Sequence, residues 1–380
     1  MDLCVILAGG KGTRLRPLTY SKPKPLAPVG NRPIIDYAIE LLADHGFSEI
    51  LVLVNYLGHV LEDHLRRVEG PEGVEVRIVK TDSLDTADAV RKASSEIDRD
   101  FLIFMGDTLT NADVSRLVEY HEKSRGLITA ALRSCENPLT QGVVCVDREG
   151  RVALSLERPL SYELYVASLV WNDRIARGGL ASAGIYAAKY EVLDVLSDNR
   201  YLMDWNKHVL PFLLESGYEV YGWMMDDSYW LDIGGPSDYL SGNWDAILGE
   251  LEPYKPRGEC EGGIWRDGEI EMGEGAKIVP PVAVGDGVEI ESDAVVGPYA
   301  VVGDGCRIGE GAIVCRSVLW DRVEVGEGSS ISDSVLADRV GIGAGASVSC
   351  GSLLGEGAIV EEGAVASGVR VRPGEILKRL

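Results

Sequence analysis

The sequence predicts an α/β protein of two domains, a Rossmann-like domain followed by a parallel β-helix. Over the first 248 residues, short apolar runs alternate with helical periodicity, the texture of a mostly parallel sheet covered on both faces. From residue 276 onward, small or β-branched residues recur every six positions, which builds stacked coils of parallel strands. A third observation marks a site. The stretch LAGGKGTRLRPLTYSKPKPL (7–26) is rich in glycine and base, in a chain whose formal net charge is −23.

Taken in order, residues 2–7 read as an apolar strand with the glycine loop behind it. Pro33 is expected in the first turn of the helix PIIDYAIELLADHG, which Gly46 ends. EILVLVN is a buried strand, HVLEDHLRRV a helix and VEVRIVK a strand. TADAVRKASSEI is a helix with Thr86 placed to cap it. DFLIFMGD is an apolar strand ending at Asp107. Ligands of such sheets sit beyond the carboxyl ends of the strands, so the glycine loop and Asp107 are expected at one cleft. LGELEPYKPRGECEGG reads as a linker. The predicted division is 1–248, a linker at 249–261, and a β-helix at 262–380.

The repeat is regular. Ala276, Val282, Val288, Ala294, Ala300, Cys306, Ala312 and Val318 stand six apart, and Ile278, Val284, Ile290, Val296, Val302, Ile308, Val314 and Trp320 follow two places behind. Five-residue steps interrupt it from Val318 to Val323 and from Val335 to Val340. Acids such as Asp286, Asp304 and Glu310 are expected at solvated corners.

Composition excludes several roles. Residues 1–32 carry +5, so the other 348 carry −28. An acidic body argues against nucleic acid, which needs a broad basic face. No apolar run is long enough to span a bilayer, so no membrane partner is expected. MDLCVILAGG reads as a strand and not a leader, and seven cysteines without CxxC read as reduced, mostly buried thiols in a cytoplasmic protein. Cys135 and Cys145 could face each other but are expected to stay reduced. The tryptophans 205, 223, 230 and 244 are expected in the core or at subunit contacts. A small cationic spot on an acidic body suits a small, highly charged ligand.

The loop lacks GxxxxGK[ST] and the third glycine of a dinucleotide fingerprint. Its consecutive glycines after a strand still allow backbone N–H groups to close on phosphate oxygens, while Arg14 and Lys24 add positive charge. A triphosphate is the expected ligand.

LAGGKGTRLRPLTYSKPKPLAPV closely resembles the signature of the sugar-1-phosphate nucleotidylyltransferases. FMGD at Asp107, QGVV at 141–144, ERP at 157–159, SAGIY at 182–186 and WLDIGGPSDYLSGN at 230–243 are similar to further motifs of that family, in the family's order. WLDIGGPSDYL with the β-helix looks most like the mannose-1-phosphate guanylyltransferases. The resemblance implies a left-handed coil sense for the repeat. It implies transfer of a nucleotidyl group from GTP to a hexose 1-phosphate with Mg²⁺ held by Asp107 and Asp232. Arg14 and Lys24 would act on the phosphates. Leu7, Ala8, Gly9, Gly10, Lys11, Gly12, Thr13, Asp85 and Thr86 would hold the nucleotide. Gly142, Glu157, Arg158 and Ser182 would hold the sugar phosphate. A homo-oligomer assembled through the β-helix is expected.

Three positions depart from the pattern. Asp85 stands for a glycine, Arg158 for a lysine and Ser182 for an asparagine. They bear on the base and the sugar, not on the metal, and keep glucose 1-phosphate with dTTP or UTP as an alternative. An inactive regulatory subunit is another, although Arg14, Lys24, Asp107 and Asp232 all survive. Acyl transfer by the β-helix would use a histidine as base. His45, His59, His64, His121 and His208 all precede the repeat, so it is not expected.

Overall fold

The computed structural model describes residues 1–68, 70–135, 137–171, 177–225 and 228–379. Residue 380, the last of the predicted β-helix, lies outside them. The chain forms two compact units. One holds residues 1–10, 39–106 and 112–230, and the other residues 11–38, 107–111 and 231–380.

The first unit is built on a mixed nine-stranded sheet. Its strands are β1 (Leu3–Leu7), β2 (Glu49–Val54), β3 (Glu75–Lys80), β4 (Phe101–Met105), β6 (Ile128–Ser134), β7 (Val143–Val146), β8 (Val152–Leu156), β9 (Arg177–Ala188) and β10 (Val220–Met224). A short β5 (Thr108–Thr110) belongs to the other unit. The path runs β8-β7-β9-β4-β1-β2-β3, with β6 on β9 and β10 on β6. β1 pairs in parallel with β2 and β4, as do β2 with β3 and β6 with β10. Every pair made by β9, and that of β7 with β8, is antiparallel. The expectation of a mostly parallel sheet therefore holds for the first half only.

The reason is local to β9. Its register on β6 shifts between Ser182 and Tyr186, and Gly184 there has φ +74°. A Cβ on Gly184 would also lie 2.8 Å from Met105 Cγ. Glycine permits the kink, and β9 runs antiparallel to β4, β6 and β7 alike.

Helices α1 (Ile34–Asp44), α2 (Gly58–Arg67), α3 (Thr86–Lys92) and α4 (Val114–Lys123) follow the strands roughly as the periodicity requires. Two local expectations are corrected. Pro33 lies with Arg32 in a two-residue strand that pairs with Pro28 and Val29 ahead of α1, and is not in its first turn. Asp85, not Thr86, caps α3, its carboxylate accepting from the Thr86 N–H at 2.9 Å. A carboxylate at a helix N-terminus also meets the positive end of the dipole.

The core of this unit is continuous. Leu3, Val5, Leu51, Leu53, Phe101, Ile103 and Tyr186 are all buried in it. Each such side chain contributes about 1.5–3 kcal/mol by leaving water. His121 of α4 is 1% exposed, and its Nδ1 lies 2.8 Å from Thr129 Oγ1. Its Nε2 has no hydrogen-bond partner among the described residues. Burial pushes its pKa down to about 4, so the folded protein holds the ring neutral. Acid therefore favours the unfolded chain, which binds a proton from pH 6.5 downward. Stability is expected to fall between pH 6.5 and 4, by about 3 kcal/mol over the window. Urea unfolding of His121→Gln should show that part of the acid slope removed.

In the second unit β5 pairs with β11 (Trp230–Asp232), and α5 (Pro236–Leu248) follows. A hairpin of 259–261 and 264–266 leads into three parallel sheets of eight, seven and six strands, counting the hairpin in the first. These wind as a left-handed parallel β-helix. Val282 pairs with Ala300 and Val301 with Val318. The five-residue steps thus shorten a coil from eighteen residues to seventeen without breaking a ladder. Val288, Ala294, Cys306, Ile308 and Val314 point inward at 0% exposure. The expected places of Val318 and Trp320 in the repeat are corrected: Val318 pairs with Val301, and Leu319, opposite Val302, takes the inward position.

All seven cysteines are free. Cys4, Cys145 and Cys306 are buried, but Cys260 and Cys350 are exposed, so burial is less general than expected. No helix among the described residues is long and apolar enough to cross a membrane.

Candidate active site

One group of candidate residues gathers in the second unit. Gly12 takes the left-handed conformation at φ +57°, and Thr19 Oγ1 donates to its carbonyl at 2.9 Å. A Cβ there would meet Thr19 Cγ2 at 3.0 Å, so the loop needs glycine both for its angle and for its space. A 3₁₀ turn, Thr13–Leu15, follows and presents Arg14 to solvent. Lys11 and Thr13 are exposed beside it.

Asp107 and Asp232 are 125 residues apart in sequence. The pairing of β5 with β11 brings them together, and the Ile233 N–H donates to the Asp107 carbonyl at 3.1 Å. The buried ammonium of Lys24 pairs directly with Asp107 and lies 3.5 Å from Asp232 Oδ1. Arg14 Nη2 lies 3.7 Å from Asp232 Oδ2. Gly234 leaves room for this guanidinium, since a Cβ would stand 2.9 Å from Arg14 Nη1. Burial raises the Asp232 carboxyl above the ordinary range and Asp107 adds to the effect, while Lys24 and Arg14 oppose it.

Two neighbouring carboxylates are a donor set for a hard divalent cation. No group of three or more His, Cys, Asp or Glu among the described residues is placed to hold a metal ion. A cation held here would take its other ligands from water and from substrate phosphates, the habit of Mg²⁺ and not of structural zinc.

A second group lies in the first unit. Leu7 ends β1, and the Ala8 N–H donates to the Leu53 carbonyl at 2.9 Å. Gly9 packs against Asn55, and a Cβ on Gly10 would meet nothing. The start of α3 is tied to residues 203–205. The Ala87 N–H donates to the Met203 carbonyl at 2.7 Å, and the Trp205 N–H to Thr86 Oγ1 at 3.2 Å. Asp85 is exposed at that helix start. Trp205 is fully buried and stacks on Tyr186 with centroids 5.9 Å apart. The Tyr186 hydroxyl donates to Asn206 Oδ1 at 2.8 Å and lies 2.8 Å from Ser182 Oγ. Thr86 directly, and Ser182 through the Tyr186 hydroxyl, thus reach one connecting segment.

Gly142 has φ +82°, and a Cβ there would lie 2.9 Å from the Leu156 carbonyl and 3.0 Å from Glu157 Oε2. Arg158 Nε lies 3.4 Å from Glu157 Oε1. Burial raises the Glu157 carboxyl; Arg158 and Lys207 oppose the rise, and Asp204 adds to it. Asp204, Asn206 and Lys207 were not singled out from the sequence. The polar run DWNK within YLMDWNKHVLPFLL was the available signal, and residues 205–209 form a π-helix, a rare turn concentrated at functional sites.

Residues 3–247 match the nucleotidyl transferase family, and residues 261–366 match the EIF2B subunit epsilon LbH domain. The chain belongs to the nucleotidyl transferase family. It is 30% identical over 290 residues to a mannose-1-phosphate guanylyltransferase of Mycobacterium tuberculosis, covering 75% of this chain and 76% of the relative. It is 30% identical over 280 residues to a mannose-1-phosphate guanyltransferase of Debaryomyces hansenii, covering 72% of each. A UTP–glucose-1-phosphate uridylyltransferase of Synechocystis is 28% identical over 345 residues, covering 83% of this chain and 82% of the relative.

Proposed function

We propose that the chain joins a hexose 1-phosphate to a nucleotide, with GTP and mannose 1-phosphate as the preferred pair. The observation that carries this reading is the Lys24 ammonium held between Asp107 and Asp232 with Arg14 alongside. A phosphate oxygen of the sugar attacks the α-phosphorus of the triphosphate. The new P–O bond forms as the bond to the β-phosphate oxygen breaks, and pyrophosphate leaves with that electron pair. The attacking oxygen is already an anion, so no general base is required. The reaction needs two anions aligned and their charge offset.

Lys24 holds the α-phosphate and Arg14 the departing pyrophosphate. Gly9, Gly10 and Gly12 supply backbone donors, with Leu7, Ala8, Lys11 and Thr13 completing the loop. Asp107 and Asp232 hold Mg²⁺, which when bound offsets phosphate charge. Asp85 and Thr86 meet the base, and Gly142, Glu157, Arg158 and Ser182 meet the sugar phosphate. An acidic acceptor at Asp85 matches the paired N–H donors of guanine, which uracil and thymine lack. The two mannose-1-phosphate relatives favour the same pair, and the free cysteines suit a reducing cytoplasm. The uridylyltransferase relative, with its longer match, supports glucose 1-phosphate with UTP as the second reading. A nucleotidyltransferase domain at 1–248, a linker at 249–261 and a β-helix at 262–380 that assembles the oligomer complete the proposal.

The test is pyrophosphate release with Mg²⁺ over four nucleoside triphosphates and several sugar 1-phosphates, with Asp232→Asn as control. Turnover of GTP with mannose 1-phosphate, lost in the control, is the expected result. Bound nucleotide without turnover on any pair would make the chain a regulatory subunit.

A further inference from the structure

One corner of the β-helix is a column of aspartates. Asp286, Asp304, Asp321 and Asp338 stand one coil apart. The backbone N–H of Asp286 donates to Asp304 at 2.9 Å, that of Asp304 to Asp321 at 3.1 Å, and that of Asp321 to Asp338 at 3.2 Å. Stacked carboxylates repel one another, the more so when desolvated. Asp286 and Asp321 are exposed, as expected of a solvated corner, and Asp338 is the better shielded end of the column.

Two cations reach the column from outside the β-helix. Arg257 pairs with Asp304 and Asp267. Lys22, from the glycine-rich loop, places its Nζ 3.0 Å and 3.2 Å from the two oxygens of Asp338. The same ammonium stands 4.6 Å from the Trp320 ring centroid. The Lys22 and Asp338 side chains are only 22% and 18% exposed, so this pair is better shielded than an ordinary surface pair. Trp320 is itself fixed, its Nε1–H donating to the buried Tyr239 hydroxyl at 2.9 Å. That hydroxyl donates in turn to the Pro28 carbonyl.

The loop is anchored on both sides of Lys24. Arg370 Nη1 donates to the Arg16 carbonyl at 2.7 Å, and Asn31 Nδ2 to the Val302 carbonyl at 2.8 Å. Lys22 is the anchor nearest to Lys24, and the chain between them is stiff. Pro23 and Pro25 flank Lys24, and each ring locks φ, with Pro23 at −65°. The ring of Pro23 removes one torsion from the short link through which a displacement of Lys22 would reach Lys24.

We propose that Lys22 is a positioning residue. Held by Asp338 and Trp320 of the β-helix, it sets the place of Lys24 through the Pro23-Lys24-Pro25 segment. The inference rests on the role proposed above for Lys24.

The test uses the full chain with Lys22→Met, Lys22→Arg and Asp338→Asn. The readouts are kcat and KM for pyrophosphate release, hydrogen exchange of loop amides 12–24, and thermal melting. Lys22→Met and Asp338→Asn should lower kcat by about tenfold or more, since small misplacements of a reacting group are costly. Their melting should match the parent while the loop amides exchange faster. Lys22→Arg should restore kcat, because a guanidinium can both pair with Asp338 and stack on Trp320. An unchanged kcat in Lys22→Met, or a fall that arginine does not rescue, overturns the inference. Should Asp338→Asn fail to fold, Lys22→Met and Lys22→Arg decide. A parent protein without turnover on any substrate pair sinks the reading of function and this inference with it. An active parent with unaffected variants sinks the positioning role alone.

Discussion

Lys24→Met is expected to lower the rate of pyrophosphate release by about 100-fold or more, the usual cost of losing a preorganised charge at a developing anion. Methionine keeps the length and apolar stem of the side chain, so the buried space stays filled. What disappears is the ammonium between Asp107 and Asp232. The loss should fall on kcat more than on KM, because the charge acts where the phosphorus changes partners. Removing it also leaves two neighbouring carboxylates with Arg14 as the nearest remaining cation, at 3.7 Å from Asp232. Steady-state kinetics beside circular dichroism checks the result. A folded Lys24→Met protein with parental kcat would show that Lys24 is a structural counter-ion only.

Gly326→Ala is expected to destabilise the β-helix by about 3 kcal/mol, and Gly328→Ala by about 1 kcal/mol, although both glycines belong to one GEG corner. The two are needed for different reasons. A Cβ on Gly326 would stand 2.6 Å from the Ala344 nitrogen and 2.8 Å from the Ile342 carbonyl oxygen. Both are backbone atoms of the next coil, fixed by the ladder spacing, and cannot move aside. Gly343 meets the same obstacle one coil on, 2.4 Å from the Glu362 nitrogen. A Cβ on Gly328 would meet nothing within 4 Å, but the residue has φ +62°, where an L side chain is strained. Denaturant midpoints of the two variants check the order. Equal losses would mean that the coils give way to the extra methyl group.

Much of the architecture is legible in local pattern. The strands and helices of residues 2–105 follow from apolar runs and periodicity, because burial on a sheet or helix face is a short-range demand on sequence. The repeat is more legible still, since every coil solves the same packing problem with the same residue types. The motifs marked Arg14, Lys24, Asp107 and Asp232 as chemical residues. The cap expected at Thr86 and the first turn expected at Pro33 were each misplaced by one residue, because near neighbours can exchange such roles at no visible cost in sequence.

Tertiary structure decided what depends on distant partners. The mixed sheet turns on β9, which runs antiparallel to its neighbours on both sides, and no local pattern states strand direction. Asp107 and Asp232 meet because β5 and β11 pair, and the tie of Thr86 to Ser182 runs through residues 203–206. Lys22 finds Asp338 across 316 positions. By itself the sequence determined the secondary elements, the repeat and the chemical character of the loop, because these answer to neighbours along the chain. Strand direction and the partners of each charge were decided only in the folded protein, because pairing energies act between segments that proximity in sequence does not relate.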